Sequence, residues 1–209
     1  MRVDELARIV EAFKSEVLNQ FSAMSKQMGE ILEGSRLIEA RLKRVEDRLT
    51  DLENYSRREN LVFFGIQDDG AGETWEVTET KVTRLIKEKL GVEADITFQR
   101  VHRLGKARNG PNARPVIARF LLYKQRQQVL KNAYKLKDSN YSISEDFCKT
   151  TRDFRKMLVP HLKAAKHRGK RAHIKIDTLF IDDQSYVVVG NTVKNSKTGA
   201  PLHLVDPEN

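Results

Sequence analysis

Residues 3–52 repeat every seven positions, and this repeat constrains the fold more than any other feature of the chain. With Val3 at heptad position d, the d positions are Val3, Val10, Val17, Met24, Ile31, Ile38, Val45 and Leu52. The matching a positions are Ala7, Lys14, Phe21, Met28, Ser35, Leu42 and Leu49, of which only Lys14 and Ser35 are polar. A single amphipathic helix on a globular domain rarely sustains an apolar seam over so many turns, whereas a coiled coil requires one. No proline interrupts the segment, and Gly29 and Gly34 weaken the helix by only about 1 kcal/mol each relative to alanine. The pattern predicts a parallel coiled coil over residues 1–56.

The same repeat bears on strand number. Val and Ile dominate the d positions, and β-branched residues at d disfavour parallel dimers. Two consecutive heptads place Arg41 and Arg48 at g, Leu42 and Leu49 at a, Val45 and Leu52 at d, and Glu46 and Glu53 at e. In a parallel assembly a g-position arginine reaches the e-position glutamate of the next chain while its methylenes cover the core. This doubled pattern resembles a motif that specifies trimers. A homotrimer is expected, with a dimer as the alternative, held by Ile31, Ile38 and the eight residues of the doubled pattern.

Beyond the heptads the charge changes sign. Residues 1–53 hold nine Lys/Arg against eleven Asp/Glu, although the whole chain of 209 residues carries a formal +9. Residues 96–137 contain eleven basic side chains and no acidic one, and residues 149–175 contain ten against the single Asp153. Such blocks point to a polyanionic partner rather than a merely solvated face.

The apolar period also changes. LVFFGI (61–66) reads as a strand, and a helix capped by Thr74 runs to Leu90, stopped by Gly91. Residues 95–104 read as a second strand, 115–123 as a third, 124–135 as a second helix and 141–143 as a fourth strand. The order βαββαβ over residues 60–147 is the split-βαβ arrangement shared by RNA-recognition-motif domains. A basic helix (150–169) containing Pro160 follows, expected to kink or restart there, and then strands at 172–176, 178–181 and 186–189. The expected class is α+β: the coiled coil, an RRM-like domain, a small basic α+β domain (148–190), and a polar, poorly ordered tail (191–209). The small domain is expected to pack on the middle one and form a basic cleft with it.

Candidate contacts to nucleic acid in the middle domain are Arg100, Arg103, Lys106, Arg108, Arg114 and Arg119; the C-terminal segment adds Arg152, Arg155, Arg168 and Arg171. Phe63 is the candidate stacking ring of the first strand; if the pleat is offset, Phe64 is exposed and Phe63 belongs to the core. The third strand, RPVIARF, lacks paired aromatics, so binding should rest on charge more than on stacking.

These parts, in this order, are similar to the first-open-reading-frame protein of LINE-type retrotransposons. The likeness is carried by ENYSRRENL (53–61), QRVHRLG (99–105), RPVIARF (114–120) and ISEDF (143–147) followed by Arg152 and Arg155, and it spans about residues 36–182. It implies a homotrimeric single-strand binder that coats its own transcript and acts as a nucleic-acid chaperone in a cytoplasmic, and also nuclear, ribonucleoprotein. It puts Asn60 at the family's domain-opening asparagine and places Arg100, Arg103, Arg114, Arg152 and Arg155 at or near basic contact positions. Two positions depart from the pattern: Val62 replaces a basic residue, and His173–Asp177 lacks an aromatic. Both departures fit a degenerate or host-adopted copy.

Expected partners are therefore RNA, single-stranded DNA and other copies of the chain, with no membrane and no small-molecule substrate. No cofactor or enzymatic activity is expected. No phosphate loop, nucleophile elbow or zinc-ligand spacing occurs, and the one cysteine and five histidines are scattered. Asp177, Asp182 and Asp183 read as turn residues rather than metal ligands. The charged N-terminus does not read as a secretory leader, and no apolar run approaches a membrane span. The competing expectation is a coiled-coil scaffold whose basic blocks hold an acidic protein.

Overall fold

The computed structural model describes residues 3–106 and 113–203. The chain is α+β and divides into two units, residues 1–49 and 50–209. Helix α1 (Val3–Arg57) makes up the first unit, and its residues 50–57 belong to the second. In the single chain the large apolar a and d residues from Val10 to Leu49 are 45–71% exposed, a continuous stripe with nothing covering it.

The second unit contains two antiparallel sheets. The first is built from β1 (Asn60–Phe64), β2 (Phe98–Arg103), β3 (Val116–Phe120) and β4 (Ser142–Glu145), in the order β2-β3-β1-β4. Helices α2 (Trp75–Leu90) and α3 (Tyr123–Asn132) cover one face, giving the chain order βαββαβ. Alternation selects the core: Leu61 and Phe63 from β1, Val101 from β2, and Val116, Ala118 and Phe120 from β3 meet Val82, Ile86 and Leu90 of α2. The α2 limits follow their sequence signals, since the Thr74 hydroxyl accepts from Val77 N and Gly91 closes the helix at φ 64°. Gly65 leaves β1 at φ 83°, and a Cβ there would lie 2.0 Å from the Asn140 carbonyl oxygen.

Helix α4 (Lys149–His167) lies against the second sheet, β5 (Ala172–Lys175), β6 (Thr178–Ile181), β7 (Gln184–Val189) and β8 (Thr192–Asn195), paired in sequence order. Leu158 and Ala165 of α4 meet Leu179, Ile181 and Val193 in a second core. Two expectations are corrected. Of the two outcomes expected at Pro160, a kink or a restart, the restart does not occur: the helix runs through it, at the cost of one main-chain hydrogen bond. Part of the expected polar tail is structured: β8 pairs with β7, Val193 is buried, and Leu202 packs on the same core. Within TVKN (192–195) a single apolar residue faces inward, too short an alternation to register as a strand.

Candidate functional site

The last turns of α1 are tied to the junction between the two sheets. Cys148 is the N-cap residue of α4 and makes no side-chain cap of its own. Asn54 supplies the missing contacts: its Oδ1 accepts from Cys148 N at 3.0 Å and its Nδ2 donates to the Thr151 hydroxyl at 2.8 Å. Arg57 pairs with Asp146 at 3.1 Å and with Glu53 at 3.0 Å, and Asn60 donates to Asp146 at 2.9 Å. Asp146 is almost completely buried, so these donors are what stabilise its charge there.

This junction continues a row of side chains across the sheet. On the face away from α2 and α3, Arg100 lies opposite Arg119, and Arg119 opposite Asn60. The hydrogen bond to Asp146 carries the row into Phe147, over whose ring the Arg155 guanidinium sits at 4.8 Å. Arg155 also donates to the Ile176 carbonyl at 2.6 Å, and burial draws its pKa down. Beside the row, Arg58 lies 3.6 Å over the Tyr55 ring. A cavity of about 290 Å³ opens among Tyr55, Arg58, Tyr123, Arg126, Phe147 and Ile176. Three buried polar atoms near this face have no partner among the described residues: Asn60 Oδ1, Arg119 Nε and His102 Nδ1. Burial, and Arg100 alongside, lower the His102 pKa.

The candidate residues separate into distinct environments. Arg100, Lys106, Arg152 and Arg171 are exposed and have no side-chain partner among the described residues, and Arg168 is exposed. Arg119 is 43% exposed and pairs with Glu59 at 3.3 Å. Arg108 lies outside the described residues. Phe63 is fully buried in the core, so its ring cannot stack on a base; the strand exposes Phe64 instead. An alternation of period two puts Leu61 and Phe63 on one face, and α2 decides which face is covered.

Arg103 is also withdrawn from the surface. Its side chain is 5% exposed and pairs with Glu73, which is 0% exposed, at 2.9 Å. The rest of its guanidinium bonds the carbonyls of Ile66, Gln67 and Arg114 and the second Glu73 oxygen, so no donor is left for a phosphate. Burial alone would raise the Glu73 pKa. Hydrogen bonds from Arg103, Lys81, Asp69 N and the Thr78 hydroxyl outweigh it and hold the carboxyl at about 2. Arg114 is 15% exposed and grips Asp68 with two bonds, at 2.7 and 2.9 Å, holding that carboxyl well below the usual range. Both arginines brace the loop between β1 and α2.

No metal-holding cluster of His, Cys, Asp or Glu occurs among the described residues. Among the described residues no helix is long and apolar enough to cross a membrane. No protein-family model matches the chain.

Proposed function

We propose that this protein binds single-stranded nucleic acid, RNA foremost, as a homotrimer assembled through a parallel coiled coil over residues 1–56. The reading rests on one observation above others: Arg100, Arg119, Asn60, Phe147 and Arg155, spread over 96 positions of sequence, form one row across the first sheet and onto α4. Guanidiniums beside aromatic rings suit a strand whose phosphates and bases are both accessible. The acidic groups in the row are already committed, Glu59 to Arg119 and Asp146 to Arg57 and Asn60.

The sheet order and the βαββαβ connection support an RRM-like reading of residues 60–147. Its face away from the helices departs from the usual base-stacking platform, with the half-buried His102 and Ile117 and the buried Val62 where rings would be useful. Affinity therefore comes chiefly from phosphate contacts, with little sequence preference. The exposed seam of α1 supports self-association, because leaving this much apolar side chain in water is costly. Three weak sites on one strand then act at high effective concentration. Together with the likeness to LINE-type first-open-reading-frame proteins, this suggests a nucleic-acid chaperone within a retrotransposon ribonucleoprotein.

Filter binding tests the proposal. Affinity for a single strand should fall steeply with salt, and Arg100→Ala or Arg152→Ala should each lower the slope of log K against log salt by about 0.7. Absent or salt-independent binding would overturn the reading and favour a scaffold for a protein partner.

A further inference from the structure

The second sheet has a face that the row described above does not use. One side of β5–β8 packs on α4 through Leu179, Ile181 and Val193. On the other side, strand register sets His173 opposite Phe180 and Phe180 opposite Ser185. The adjacent row runs from Lys175, opposite Thr178, to Val187, opposite Lys194. The His173 and Phe180 rings are stacked, with centroids 5.0 Å apart and planes within 9°. His173 is exposed and Phe180 half-buried, so the ring column ends in water at the edge strand β5.

The charges around this column have one sign. Lys175 and Lys194 stand on strands β5 and β8, three strand spacings or about 14 Å apart, far enough to meet separate phosphates. The outward positions of the four strands carry no carboxylate; Asp177, Asp182 and Asp183 lie in the hairpin turns. The Asp182 carboxylate is engaged by Arg171 N, and Asp177 by the Thr178 hydroxyl. An apolar protein partner would need a broad aliphatic surface, whereas a short ring column between two ammonium groups matches a base with flanking phosphates.

We infer that this face is a second contact surface for single-stranded nucleic acid, on which one base extends the His173–Phe180 stack while Lys175 and Lys194 hold neighbouring phosphates. The inference rests on the binding function proposed above and adds a surface to it. It also assigns stacking to a part of the chain where residues 173–177 hold no Phe, Tyr or Trp: the ring comes from β6, and histidine on β5 completes the pair.

The test is photocrosslinking of the full chain to a single-stranded oligonucleotide carrying 5-iodouridine, with adducts mapped by mass spectrometry after trypsin. The expected adducts fall on the peptides Ala172–Lys175 and Ile176–Lys194. In parallel, His173→Ala should weaken single-strand binding about fivefold or more, the size of one lost base–ring stack. His173→Phe, which keeps a ring, should stay near the parent. His173 is exposed, so both variants should melt with the parent protein, unlike Phe180→Ala, which also disturbs the sheet. If the parent binds but adducts map only elsewhere and His173→Ala binds normally, the second surface is refuted and the proposed function stands. If the parent fails to bind, both fall.

Discussion

Replacing Arg103 by alanine should damage the fold and not the binding surface. The substitution leaves Glu73, wholly buried, without its main cation and strips a hydrogen-bond donor from the carbonyls of Ile66, Gln67 and Arg114. Removing one partner of a buried pair costs about 3–5 kcal/mol, chiefly for the charge left behind. Glu73 keeps Lys81, Thr78 and the Asp69 N–H, so the low end applies, about 3 kcal/mol. That lowers the folding equilibrium constant by roughly a hundredfold. Urea unfolding followed by the fluorescence of Trp75, the only tryptophan, reads the loss directly. Arg100→Ala, at an exposed position, should stay within about 0.5 kcal/mol of the parent. Under conditions where Arg103→Ala remains folded, its salt slope for single-strand binding should equal the parent's. An Arg103→Ala variant that unfolds with the parent and lowers the slope as Arg100→Ala does would refute a structural role for Arg103.

Other perturbations probe other parts of the molecule. Asn54→Ala removes the side-chain cap at the start of α4 and should cost about 1 kcal/mol, with amide exchange quickening first at residues 150–152. Gly65→Ala combines a left-handed backbone with a Cβ 2.0 Å from the Asn140 oxygen and should cost at least about 3 kcal/mol in the same unfolding assay. Glu73 titrates at about 2 in the fold against an ordinary 4.5, so its contribution is complete above pH 4.5 and is lost as pH falls toward 2. An acid titration of stability should show this fall, and Glu73→Gln should flatten it. Serine at both Ile31 and Ile38 should shift the chain toward monomer in sedimentation, because both residues lie on the exposed seam.

Much of the fold could be read from periodicity and punctuation. Thr74 and Gly91 bound α2 where their chemistry predicts, and 178–181 forms a strand with those limits. The heptad pattern delivers a helix to Arg57. The site was legible in composition but not in detail. Arg100 and Arg103 sit three apart in one basic strand, yet one ends exposed and the other buried, because only Arg103 meets Glu73. That pairing joins positions 30 apart, beyond any local pattern. Phe63 and Phe64 are equivalent by composition, and the placement of α2 separates them. Asn54 and Asp146 gave no signal of their own, since a cap supplied across 94 residues leaves nothing local at either end. β8 was missed because a four-residue edge strand with one buried side chain has no periodicity to detect.

In the proposed function a self-associating helix gathers basic sites onto one single strand. Solution mass of the full chain, measured by light scattering with and without a long single-stranded RNA, tests both halves together. The predicted result is three chains per particle without RNA, and larger particles with RNA that revert to the three-chain mass in high salt. A single-chain mass, or a mass that RNA leaves unchanged at low salt, would contradict it.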